Sequence, residues 1–142
     1  MAETKPVGLT ASAGYQIGVR RTIAMPQHQV WELLISPQGL KLWLGDVKRI
    51  GLHPGDRFET NEGTTGEMRV AKEPEQLRLT WQPSGWEKAS TLQIRVLAGK
   101  AERTTVSFHQ EKLDSAVTRE AMKLRWEEVL LRLSEIASER LL

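Results

Sequence analysis

The C-terminal stretch from Ser115 to Leu142 constrains this chain more than any other segment. Met122, Trp126, Val129, Leu130, Leu133, Ile136 and Ala137 recur there at spacings of three and four. On a 3.6-residue helix such spacings place them along one side, which predicts a single long amphipathic helix. Asp114 or Ser115 is the expected N-cap, and Glu128 with Arg132 makes a favourable pair four residues apart on the wet side. Before this helix, the pattern has period two and is broken by Gly and Pro, as in an antiparallel sheet. A helix that must bury one face, following a sheet that must also bury one face, implies a curved sheet closing on the helix.

The rest of the chain supplies the parts. Tyr15, Ile17, Val19 and Ile23 share one face of a first strand, with Arg21 as the break in that face. Pro26 suits the first position of a short helix whose inner face is Val30, Trp31 and Leu34. Ser36-Pro37 ends it and starts another, Ser36 as N-cap and Pro37 at the first helical position. Leu40, Trp43 and Leu44 form the second helix's stripe and Gly45 stops it. These two helices read as a bent lid. His53-Pro54-Gly55-Asp56 is a turn, followed by a strand from Arg57 to Thr60, a turn at Asn61-Glu62-Gly63 and a strand from Gly66 to Lys72. Glu73-Pro74-Glu75 reverses the chain. Leu77, Leu79 and Trp81 then alternate with polar residues, as do Leu92, Ile94 and Val96, and, after a hairpin near Gly99-Lys100, Thr104, Val106 and Phe108. The expected class is α+β: a curved antiparallel sheet of about six strands around the long helix, with two short helices after the first strand.

Composition excludes several functions. The formal charge is +2, from 20 basic and 18 acidic residues, too near balance for non-specific nucleic-acid binding. No cysteine is present, so disulfides, thiolate nucleophiles and cysteine-held metals are excluded, and a reducing cytoplasmic setting fits. Residues 1–14 contain no apolar run and read as a loose tail rather than a signal peptide, leaving residues 15–142 as one domain. No segment approaches the roughly 20 apolar residues that span a bilayer, so no membrane insertion is expected.

Residues able to do chemistry are sparse. His28, His53 and His109 fall in a helix, a turn and a strand, at spacings that match no zinc motif. Gly63-Thr64-Thr65-Gly66 lacks the Gly-Lys-Ser/Thr of a phosphate loop, and no Gly-x-Ser-x-Gly elbow occurs. Glu59 and Glu67 are the one carboxylate pair that a hairpin could bring together. Alternation instead sends both to solvent, because Phe58 and Met68 need the inner face. Neither a metal, a cofactor nor a catalytic group is expected.

Particular stretches resemble a known family. They are Val30-Trp31-Glu32 with Ser36-Pro37, Leu40 to Trp43, Pro54-Gly55-Asp56-Arg57-Phe58, Gly66-Glu67-Met68, Glu73-Pro74-Glu75, Leu77 to Trp81, and Trp126 with Leu130 and Leu133. In this order, from about residue 15 to 136, they resemble the helix-grip superfamily of START and Bet v-type proteins (SRPBCC). Within it they are most similar to bacterial members of the family named for the activator of the heat-shock-protein-90 ATPase. The resemblance implies a hydrophobic cavity between sheet, long helix and lid. Its expected lining is Trp43, Phe58, Met68, Leu79, Trp81, Ile94, Phe108, Met122 and Trp126, with Thr60, Thr80 and Gln110 as polar anchors. Trp31 is core, whereas Trp43, Trp81 and the loop residue Trp86 stand at element ends that can rim a pocket. Related sequences often carry a histidine where this chain has Gln110, and His109 belongs to the opposite face. That departure weighs against histidine chemistry in the cavity.

Three functions follow from the resemblance. The first is a non-enzymatic domain binding a small hydrophobic molecule, a lipid or aromatic metabolite. The second is a chaperone-regulating module with a role in stress response. The activator proper adds a separate N-terminal domain not found in this chain, so its full function is not expected. The third is a polyketide cyclase-like enzyme. A monomer or weak homodimer is expected in each case. A dry void of about 300 Å³ would cost about 7 kcal/mol, comparable to a whole domain's stability of roughly 5–15 kcal/mol. Side chains such as Met68, Met122 and Trp126, or else water or a ligand, must therefore occupy the interior.

Overall fold

The computed structural model describes residues 9–10 and 14–141. Most of the expected tail lies outside the described residues, but Leu9–Thr10 form a short strand, β1, against Tyr15 and Gly14. Next come β2 (Gly14–Ile23), α1 (Gln27–Ile35), α2 (Pro37–Trp43), β3 (Arg57–Glu59), β4 (Thr65–Lys72), β5 (Gln76–Trp81), β6 (Ser90–Ala98), β7 (Thr104–Leu113) and α3 (Ala116–Arg140). The strands form one antiparallel sheet in the order β1-β2-β7-β6-β5-β4-β3. Strands β3 to β7 make a meander, and β2 closes against β7. The α+β helix-grip architecture expected from the sequence is the one observed, with α3 held chiefly by β2, β7 and α2.

Register explains why the alternating residues form one core. Met68, Leu79, Leu92, Gln110 and Ile17 lie opposite one another in a row across β4, β5, β6, β7 and β2, and Leu77, Ile94, Phe108 and Val19 make the next row. Residues directly opposite on one face are the contacts that stabilise a sheet, and except for half-buried Val19 all of these are buried. A bulge in β7 sets four residues, Gln110 to Leu113, against three in β2, Tyr15 to Ile17, with Lys112 in the left-handed region at φ 65°. The extra residue returns Leu113 to the buried face despite its odd spacing from Gln110.

Helix ends follow local chemistry. Pro26 is the N-cap of α1 rather than its first residue; with no side-chain donor or acceptor it makes no cap bond, and its extended backbone only sets the entry direction. Ser36 caps α2 by accepting from the Gly39 N–H at 3.1 Å, with Pro37 at the first helical position. Of the two candidates for capping α3, Ser115 does so, accepting from the Thr118 N–H at 3.1 Å.

The β6–β7 hairpin contains a local misfit. Arg103 N–H bonds the Lys100 carbonyl, and the two central residues, Ala101 and Glu102, have φ of 56° and 60°. That is a type I′ turn, which favours Asn-Gly because both centres are left-handed. Glu102→Gly is expected to raise the unfolding free energy by about 0.5–1 kcal/mol, measured by urea denaturation at unchanged slope.

Candidate ligand site beneath the lid

Two strands, β5 and β7, meet Trp126 of α3. The inner stripe of α3 directs its indole at the sheet, where it stacks on Phe108 of β7 at 5.1 Å and meets Trp81 of β5 edge-on at 5.4 Å. Trp86, half-buried in the loop after β5, packs edge-on against Trp81 at 5.5 Å. Trp43 enters from α2 and its Nε1–H donates to the Leu34 carbonyl at 2.9 Å, tying the lid to α1. The nine residues expected to line a cavity all belong to this continuous apolar body: Met122 is half-buried and the other eight are buried. They pack on one another as core. Phe58 is the outlier, lying over Gly66 at the β3–β4 edge and lining an open hollow there with Glu67, Thr80 and Gln82. A second open hollow, of about 540 Å³, runs between β2 and α3 past Val19, Leu124 and Leu131. Neither of these two hollows reaches Trp126, and a further open hollow beside Glu87 and Lys112 touches the cluster only at Trp86.

The polar groups expected to anchor a ligand are already engaged. Gln110 accepts from Trp126 Nε1–H at 2.8 Å and donates to Ser90 Oγ at 2.9 Å, and Ser90 donates to the Trp81 carbonyl at 2.7 Å. This chain of bonds fixes Trp126 against the sheet. Thr60 accepts from the Thr64 N–H within its own turn, and Thr80 accepts from Glu67 N–H. Glu59 and Glu67 do not meet, since Glu59 stands opposite Thr65 and Glu67 opposite Arg57. Glu67 is instead bracketed by Arg69 at 2.8 Å and Arg57 at 3.5 Å. His28 and His53 are exposed, and His109 bonds Gln16 on the convex face, opposite buried Gln110.

The sequence reading missed Arg125. It precedes Trp126 by one position, outside the apolar stripe, yet its guanidinium carbon sits 5.1 Å from the ring centroids of both Trp81 and Trp126. Its Nη2 donates to the Trp43 carbonyl at 3.1 Å, latching α3 to the end of α2. Burial pushes the Arg125 pKa down, opposed at longer range by Glu62. Glu62 accepts the Asp46 N–H at 2.8 Å, and foremost through that bond its carboxyl is held below the usual range. With Asn61 also donating to Asp46 at 2.8 Å, the β3–β4 turn straps the lid's exit. Three buried N–H groups have no acceptor among the described residues: Trp31 Nε1, Trp81 Nε1 and Arg125 Nε. Two of the three therefore belong to the stacked pair at the lid's end.

Comparison with solved structures supports the fold. CalU16 from Micromonospora echinospora is 19% identical, over 85% of this chain and 73% of its own, with a TM-score of 0.71. Protein MLL2253 from Mesorhizobium loti is 16% identical over 87% and 97%, with a TM-score of 0.73. An HSP90 activator from Plasmodium falciparum is 17% identical over 85% and 94%, with a TM-score of 0.71. A comparison with curated protein sequences returned no match. No helix among the described residues is long and apolar enough to cross a membrane. The family model described as Activator of Hsp90 ATPase homolog 1-like protein matches residues 24–138. Resting on that match and on the helix-grip fold, the conclusion is that this chain belongs to the family of Activator of Hsp90 ATPase homolog 1-like proteins.

Proposed function

We propose that this chain is a non-enzymatic domain that takes up a small hydrophobic molecule, a lipid or aromatic metabolite, between the sheet, α3 and the lid α2. The supporting observation is the convergence of Trp43, Trp81, Phe108 and Trp126 beneath a lid whose far end is held by a few hydrogen bonds. Each such bond contributes about 0.5–1.5 kcal/mol net, so releasing the lid end is within reach of a ligand's binding energy. A ligand burying about 300 Å² of apolar surface gains roughly 7 kcal/mol, less an ordering cost of at least about 4 kcal/mol. Affinity in the weak to moderate range follows, and the side chains that fill the closed interior must move aside.

A thermal-shift screen of fatty acids, alcohols and aromatic metabolites tests this reading. At ten times Kd a true ligand is expected to add about 1.4 kcal/mol, with a parallel change in tryptophan emission. A screen in which no compound shifts either signal overturns it.

A second reading is a chaperone-regulating interaction module. Family membership supports it, as does an exposed apolar row on α3, Val117, Leu124 and Leu131, repeating every seven residues. Capture of Hsp90 from solution by the purified chain, abolished by Leu124→Glu, is the expected result under this reading.

A further inference from the structure

The lid site holds a positive charge that the protein does not balance at close range. Arg125 forms no ion pair among the described residues; Glu62 reaches it only at longer range. One guanidinium N–H is spent on the Trp43 carbonyl, while the buried Nε–H has no acceptor. Directly beneath lies the indole of Trp81, itself buried with an unaccepted Nε1–H. A buried donor without an acceptor costs roughly 1–3 kcal/mol, more when charged. Native proteins keep few such groups, and each calls for a physical reason. Two unmet donors, one cationic, lie close together at the edge of the apolar cluster, and an acceptor that carries negative charge would satisfy the cationic one.

We propose that the molecule taken up beneath the lid is an amphipathic carboxylate whose head group is received by Arg125. This rests on the ligand-binding reading above and names its chemical class. The apolar part would lie along Trp126, Phe108 and Trp81, where the rings already line up. The guanidinium fork matches a carboxylate in shape. A monoanion is favoured over a phosphate because it cancels one charge. A dianion would leave a surplus negative charge facing Glu62, which is ionised and held so by the Asp46 N–H. The same group competes for the guanidinium now latched to Trp43, so head-group binding and release of the lid end become one event.

Decanoate and decan-1-ol, which share a chain and differ in the head group, separate the possibilities when titrated against tryptophan fluorescence. In the natural protein decanoate is expected to bind about 10–100-fold more tightly, as a charge-assisted pair predicts. Arg125→Met keeps the apolar stem and is expected to bring the two affinities within about threefold of each other; because it also removes the bond to Trp43, the decanoate-to-decanol ratio within each protein is the readout, not either affinity alone. Arg125→Lys should retain part of the preference. Equal affinities in the natural protein, or a preference that survives Arg125→Met, overturn the carboxylate proposal and leave ligand binding standing. Failure of both probes at millimolar concentration, with no hit in the wider screen, overturns both. Should Arg125→Met lose its near-ultraviolet dichroism, the salt dependence in the natural protein decides: a preference for decanoate that does not fall with added salt rejects the ion pair.

Discussion

Trp126→Ala is expected to remove about 5 kcal/mol of stability, enough to leave little folded protein at 37 °C. Truncating a buried tryptophan ordinarily costs about 3–5 kcal/mol through lost transfer energy and the cavity left behind. Here the indole is fully buried between Phe108 and Trp81, and its Nε1–H satisfies Gln110. Removal strands the Gln110 carbonyl in an apolar space, where an unmet acceptor adds about 1–3 kcal/mol. The two costs share one site and do not simply add. Trp126→Phe separates them: it keeps a ring against Phe108, loses the N–H, and is expected to cost about 2–3 kcal/mol. Urea denaturation followed by far-ultraviolet dichroism measures both. A loss below about 2 kcal/mol for the alanine variant would mean that the interior around Trp126 is loose enough to absorb the change.

That comparison bears on what could be read from the residues alone. The inner stripe of α3, the period-two strands and the Ser36-Pro37 break each carry a local signature, and each element lies where it was expected. Inward direction was legible too, since Trp81, Ile94, Phe108 and Trp126 all face the grip. What could not be read was the volume these side chains occupy together. Periodicity specifies a face, while close packing depends on the sheet's curvature and on rotamers chosen against neighbours from four elements. Arg125 escaped for a related reason. A residue next to an inward tryptophan reads as solvent-facing, and a long side chain that folds back over two indoles leaves no trace in spacing. The bulge at Lys112 was equally silent, because a non-glycine residue in the left-handed region has no sequence signature strong enough to announce it. Gln110 shows the converse. Expected as a ligand anchor, it spends its two bonds on Trp126 and Ser90 and serves the core.

Gly39→Ala is expected to cost about 3 kcal/mol or more, although alanine is the better helix former by about 1 kcal/mol. A Cβ at Gly39 would stand 1.8 Å from the Leu33 carbonyl oxygen and 2.7 Å from its carbon. Both are backbone atoms of α1, so no side-chain rotation relieves the overlap. That oxygen is also held in place by the Ser36 N–H at 3.2 Å and the Ser36 hydroxyl at 2.6 Å. Relief therefore requires α2 to draw back from α1. The movement would lengthen the 2.9 Å bond from Trp43 to the Leu34 carbonyl and lift Trp43 out of the core it seals. Overpacking of this kind ordinarily costs about 1–3 kcal/mol, and the lost buried bond adds about 1 kcal/mol. Gln38→Ala, one position earlier on the exposed side of the same helix, should stay within about 0.5 kcal/mol. The pair of denaturation midpoints distinguishes steric contact from helix propensity. If Gly39→Ala proves neutral or stabilising, the close crossing of α1 and α2 is wrong, and with it the account of how Trp43 is positioned under the lid.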